Sequence, residues 1–254
     1  MTESNQLPGN LLGVPKLVLQ YRTDAASIDA LLPPGLERRG DPVVSIGVYC
    51  APVHGEPELG VSTKVPATYD GQDGWYTLGI GIDQESAIFI SRETNGQPKF
   101  PCGVRYHRLG DAVHASCSHQ GTTFLTYDGT AGAFRAGSGD ERTETEWWVK
   151  YSRAVGGVEG AYDLPPVVVR VSTTAQAVGS VPVDGELTLR PSRWDPYTDL
   201  LPVRSEVSAE LVVTRVTGRS IEVAGPLDPA AFWPFTDTIG GSRWPGLRGA
   251  PRVD

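Results

Sequence analysis

Lysine is scarce in this chain. Of 22 basic residues among 254, four are lysines (Lys16, Lys64, Lys99 and Lys150) and the rest are arginines, which keep their proton in proteins. Cysteine is scarcer still. Cys50, Cys102 and Cys117 are odd in number and lack metal-ligand spacing, which excludes a disulfide framework and leaves buried thiols. No apolar run reaches the length of a membrane span. The opening MTESNQLPGN has no basic stretch followed by an apolar one, so no secretory leader is expected and the expected compartment is the cytoplasm. Positive charge is also in deficit: a net charge of −8 argues against a nucleic-acid backbone or an anionic membrane as partner. A small anionic substrate stays open, because one local arginine can hold a carboxylate.

Familiar catalytic motifs are missing as well. There is no phosphate-binding loop ending in Lys-Ser/Thr, no G-x-S-x-G elbow and no H-E-x-x-H pair. GIGIDQ (79–84) lacks the third glycine of a dinucleotide fingerprint. In VHASCSH (113–119), strand alternation puts Cys117 and His119 on one face and His114 on the other, so the three do not converge on a metal. His54 and His107 have no evident partners in sequence. No metal and no cofactor are expected.

Strand patterns fill most of what is present. Segments 42–51, 65–71, 74–82, 111–119, 122–129, 145–153, 166–176, 185–190, 208–216 and 220–225 alternate apolar and polar residues and are rich in Val, Ile, Thr and aromatics. Asp128-Gly129 and Asp184-Gly185 read as turns. Two helices interrupt the strands. Thr23 to Gly35 has Ile28, Leu31 and Leu32 at helical spacing before Pro33-Pro34; residues 83–96 have Asp83 as a cap and Gly96 as a stop. The pattern predicts a mainly β, β-rich α+β fold, closed or stacked, over a single domain spanning 1–254. An N-terminal arm is expected at 1–16, a mobile Gly-rich loop at 131–144, and a Pro/Gly/Trp-rich tail at 226–254 that packs its tryptophans on the surface.

Within this frame Lys99 stands out. It lies in SRETNGQPKF (91–100), between Pro98 and Phe100, with no acid adjacent in sequence. An ordinary lysine, with a pKa of about 10.4, is neutral in roughly one molecule in 2,500 at pH 7. Burial raises that fraction, and the free amine attacks carbonyls.

The stretch RETNGQPKF resembles the R-E-x-x-G-x-P-K signature of the acetoacetate decarboxylase-like family. Upstream, YRTDAASIDALLPPGLE (21–37) is similar to that family's entry helix and VPATYDGQDGWY (65–76) to its hairpin. Downstream, WWVKYSR and WDPYTDLLPVRSEVSAELVVT are similar to its later strands, so the likeness is collinear from Leu17 to Val216. The resemblance implies a cone-shaped β-barrel with flanking antiparallel strands and a few short helices, a homo-oligomer, and a Schiff-base lysine at Lys99.

It also implies site residues. Asn95 would hold a substrate oxygen, Arg92 would bind a carboxylate or pair locally with Glu93, Glu93 would move protons, and Tyr76 would be a donor or a strand aromatic. Where decarboxylases carry a second lysine this chain has Phe100, and burial alone must activate the amine. Two family glutamates fall at Gly47 and Gly60, and a family arginine at Val14; Glu58, on the face of Gly60, could substitute. The expected activity is that of a Schiff-base lyase on a small keto acid. Aldol condensation and dehydration of an α-keto acid such as pyruvate is favoured over decarboxylation of a β-keto acid, with a non-catalytic small-molecule-binding barrel as the third reading.

Overall fold

The structure, a computed structural model, describes residues 15–53 and 56–252. Its first strands are β1 (Lys16–Arg22), β2 (Glu37–Arg38), β3 (Val43–Val53), β4 (Glu56–Tyr69) and β5 (Gln72–Ile82), with helix α1 (Ala25–Leu31) after β1. Helix α2 (Glu85–Asn95) leads to the short β6 (Lys99–Pro101). Then come β7 (Gly103–Leu109), β8 (Ala112–His119), β9 (Thr122–Ala131), β10 (Arg135–Ala136), β11 (Glu141–Arg153) and β12 (Tyr162–Leu189). Helix α3 (Tyr197–Leu200), β13 (Ser208–Pro226) and α4 (Pro229–Phe232) follow.

Hydrogen bonding runs β11-β5-β4-β3-β1-β13-β12, and β11 also pairs with β12. Seven strands therefore close into a ring, which leaves none of them with an open edge along the paired stretches. The order continues from β12 through β9, β8 and β7 as an antiparallel extension. The expected β-rich architecture is present, with the helices short and peripheral.

Two predicted turns are absent. Segments 166–176 and 185–190 merge into the 28-residue β12, in which Asp184 pairs with Thr130 and Gly185 with Gly129. The glycines serve close approach between strands: a Cβ at Gly185 would lie 2.3 Å from the Asp128 carbonyl oxygen and 2.5 Å from Gly129 Cα. Segments 208–216 and 220–225 likewise merge into β13. The segment expected as a loop at 131–144 contains β10, paired with β12, and the start of β11. In α1, Asp24 is the N-cap residue but makes no capping bond, because its carboxylate is engaged by Arg204 at 2.9 Å.

Period-two alternation sorts the ring strands into two faces. Leu17, Leu19 and Tyr21 of β1 and Val44, Ile46 and Val48 of β3 join the main hydrophobic core. Lys16 of β1, Tyr49 of β3 and Glu58, Ser62 and Lys64 of β4 lie on the other face and line a cavity. The tail corrects the sequence-based expectation: Trp244 is buried in the main core, and only Trp233 stays partly outside, with the Arg153 guanidinium 4.9 Å above its ring. Among the described residues, no helix is long and apolar enough to cross a membrane.

Candidate active site

Lys99 is placed by the end of α2. Gly96 closes the helix with φ 67°, its N–H bonding back to the Arg92 carbonyl and the Gln97 N–H to that of Ser91. Only glycine fits there: the conformation is left-handed, and a Cβ would lie 2.6 Å from Lys150 Cα. Lys150 donates to the Thr94 carbonyl at 3.0 Å, a cation on the open carbonyl end of the helix. The chain then enters β6 parallel to β5, with Lys99 level with Ile80. From behind, the tail crosses the Lys99 backbone so closely that a Cβ at Gly241 would lie 1.8 Å from the Lys99 carbonyl oxygen. Arg243 ties this crossing down: its N–H donates to Leu78 and its guanidinium to the Gly96 and Val149 carbonyls.

The side chain of Lys99 points into a cavity of about 490 Å³ and is 6% exposed. The acid that sequence does not place beside it arrives from β4. Lys99 Nζ donates to Glu58 Oε2 at 3.1 Å, and Glu58 is 3% exposed. Its second oxygen, Oε1, accepts from the Tyr49 hydroxyl at 3.2 Å. Burial, then the neighbouring Glu58 charge, push the Tyr49 phenol well above its ordinary value, so it remains a donor. The glycines at 47 and 60 are what make this geometry possible. A Cβ at Gly60 would lie 2.3 Å from Tyr49 Cζ, and one at Gly47 2.1 Å from Lys16 Cε. Side chains at those positions would displace the phenol and the amine that now occupy the wall.

Two more lysines share this cavity. Lys64 donates to Glu144 at 2.8 Å and Glu146 at 2.6 Å. Burial pulls its pKa down, but Glu146 and Glu144 outweigh burial and hold it above the ordinary value. Glu146, which also accepts from Thr77 at 3.1 Å, is lowered despite burial because Lys64 stabilises its charge. Lys16 is depressed to about 8, first by burial and then by Lys64. Three of the four lysines in the chain thus line one cavity, with Arg219 at its rim. Scarcity of lysine was a signal for all three, although in sequence it drew attention only to Lys99.

Of the other residues singled out in sequence, Asn95 lines the cavity with Lys99. Arg92 instead borders a separate recess of about 130 Å³ with Tyr151 and Arg243. Glu93 is exposed on α2, and no ion pair joins it to Arg92 among the described residues. Tyr76 is buried in the main core, where desolvation pushes its hydroxyl up to about 12. On β8, Cys117 and His119 share the buried face, and His114 turns away to Asp128 at 2.7 Å. His119 bonds to buried Asp195 at 2.9 Å, and the His107 ring packs tilted against His114 with ring centroids 5.0 Å apart. His54 and Val14 lie outside the described residues.

The chain has relatives among known proteins. An acetoacetate decarboxylase of Chromobacterium violaceum is 29% identical over 209 residues, covering 79% of this chain and 82% of that protein. A crystal structure of acetoacetate decarboxylase from Legionella pneumophila superposes with TM-score 0.71 at 19% identity, over 85% of this chain and 86% of that one. The enduracididine biosynthesis enzyme MppR, solved with the condensation product of pyruvate and imidazole 4-carboxaldehyde, superposes with TM-score 0.60 at 15% identity, over 82% and 86% of the chains. These two structures share the fold. The family description "Acetoacetate decarboxylase (ADC)" matches residues 2–226, and the chain belongs to that family.

Proposed function

We propose that this chain is a Schiff-base lyase acting on a small keto acid, with Lys99 as nucleophile and Glu58 as the group that moves protons. The observation that carries the reading is the buried Lys99–Glu58 pair at 3.1 Å on the wall of a cavity large enough for a small substrate. Transfer of the ammonium proton to Glu58 frees the amine. The amine then forms a C–N bond to the substrate carbonyl carbon, and the carbonyl oxygen leaves as water once protonated. The resulting iminium makes the neighbouring carbon acidic. Glu58 as carboxylate removes a proton there, and the C–H electrons move toward nitrogen to give an enamine. Asn95 stands in the same wall as a donor to the carbinolamine oxygen, while the Tyr49 hydroxyl keeps its hydrogen on Glu58.

Aldol condensation and dehydration of an α-keto acid such as pyruvate is the favoured outcome. The enamine carbon attacks an aldehyde, the new alkoxide takes the proton from Glu58, water is lost, and hydrolysis releases Lys99. The cavity wall carries Lys16, Lys64, Lys99 and Arg219 against Glu58 and Glu146. Fixed cations stabilise a carboxylate that is retained and oppose one that must depart as carbon dioxide. The structural likeness to MppR, solved with a pyruvate condensation product, is in keeping with this. Decarboxylation of a β-keto acid through the same iminium is the second reading, supported by the similarity to the C. violaceum decarboxylase.

The test is borohydride reduction in the presence of pyruvate or acetoacetate, followed by peptide mapping. A reduced adduct on Lys99 is expected. No adduct across a panel of ketones would remove the enzymatic reading, and release of carbon dioxide from acetoacetate would select the second one.

A further inference from the structure

Lys64 and Lys99 each have a carboxylate partner. Lys16 has none: among the described residues, no hydrogen bond or ion pair engages its ammonium. It lines the cavity nonetheless, on the first residue of β1, and its Cε and Nζ occupy the space where a Gly47 side chain would stand. A half-buried ammonium in the wall beside another lysine, with no counter-charge in contact, is stabilised when an anion binds there.

We propose that Lys16, admitted by the absence of a side chain at Gly47, is the anchor for the substrate carboxylate, and that this subsite selects 2-keto acids over neutral ketones. The inference deepens the Schiff-base reading and rests on it for the substrate class. Lys99 takes the carbonyl carbon, and Lys16 takes the carboxylate that the reaction retains.

The test pairs two probes. Pyruvate and its methyl ester present the same carbonyl with and without a negative charge; trapping of each by borohydride is followed in wild type, Lys16→Met and Gly47→Ala. Lys16→Met keeps the aliphatic stem. Gly47→Ala keeps the lysine but drives it aside, and supplies a second route if the first variant folds poorly. Both variants are expected to trap pyruvate about 10- to 100-fold less efficiently at subsaturating concentration, with methyl pyruvate changed less than about twofold. Equal losses for the two probes would make Lys16 a general support of Lys99, and no loss for either would remove it from the site; both results overturn the anchor.

Oxamate, which carries the carboxylate but cannot form an iminium, separates this inference from the Schiff-base reading. Calorimetric binding of oxamate that is lost in Lys16→Met would uphold the anchor even where no ketone is trapped. No binding to wild type, or binding that survives the substitution, would overturn it.

Discussion

The lysine-bearing segment and the wall it faces are built in opposite ways. Lys99 is placed by neighbours in sequence: α2, the left-handed turn at Gly96 and three residues of β6. The wall has no local origin. Lys16, Tyr49, Glu58 and Glu146 come from four different strands and meet because alternate residues share a face and the ring closes. The nucleophile is therefore encoded as a motif, whereas the groups that set its chemistry are encoded as a register. A shift of one residue in β4 would turn Glu58 away from Lys99 and present Pro57 or Leu59.

The sharpest way to probe this contrast is to remove the nucleophile and leave the wall. Lys99→Arg should abolish borohydride trapping while the melting transition stays cooperative, because arginine cannot supply a neutral amine. Next comes the wall without the nucleophile's own change. Glu58→Gln should lower turnover by about 10²- to 10⁴-fold, read by steady-state kinetics, while trapping at Lys99 persists at reduced rate. Breaking the pair costs stability as well, since Lys99 loses its buried counter-charge; Glu58→Ala should be the less stable of the two variants in thermal unfolding.

A smaller effect follows from pH. Lys16 titrates near 8, surrounded by Lys64 of β4 and Glu144 and Glu146 of β11, with Glu58 and Arg219 elsewhere on the wall. Its pKa is lowered from the ordinary lysine value, so the charged form that binds a carboxylate is present below about pH 8 and is lost above it. Oxamate affinity should fall as pH rises through 8, approaching tenfold per unit, and Lys16→Met should flatten the profile.

The support behind Lys99 gives a structural counterpart. Gly241→Ala places a methyl group against the Lys99 carbonyl, whose backbone cannot yield freely, and should destabilise the fold by about 1–3 kcal/mol in denaturant titration. The least effect is expected from Glu93→Gln. The side chain is exposed on α2, and the substitution should alter turnover by less than about twofold.

How far the sequence was legible follows the same division. Strand periodicity located β3, β4, β5, β8, β9, β11, β12 and β13 but passed over β1, β2, β6, β7 and β10, and the Gly96–Pro98 stop located the end of α2 ahead of Lys99. Glu58 could be nominated because it stands two residues from Gly60 on one strand face, and it is the residue that meets Lys99. Asn95 was legible from its place four residues before the lysine. Lys16, Tyr49 and Glu146 were not, because their membership in the site depends on which strands become neighbours around a ring. The Asp-Gly pairs at 128–129 and 184–185 misled for a related reason. A glycine chosen for close contact between strands looks in sequence like one chosen for a turn, and only the pairing of Gly129 with Gly185 distinguishes them. Trp244 was expected on the surface and is buried, since nothing in a Pro/Gly-rich stretch announces that its tryptophan enters the core.

The crossing of Arg243 over Gly96 bears on the order in which the protein assembles itself. The Lys99–Glu58 contact closes 41 positions of chain, whereas the bond from Arg243 to Gly96 closes 147. On a ribosome the amine and its acid can meet long before the segment that braces the lysine has been made. Until then the Lys99 strand lacks the backing that Gly241 and Arg243 supply. Maturation of activity is thereby tied to some of the most sequence-distant contacts described at the site.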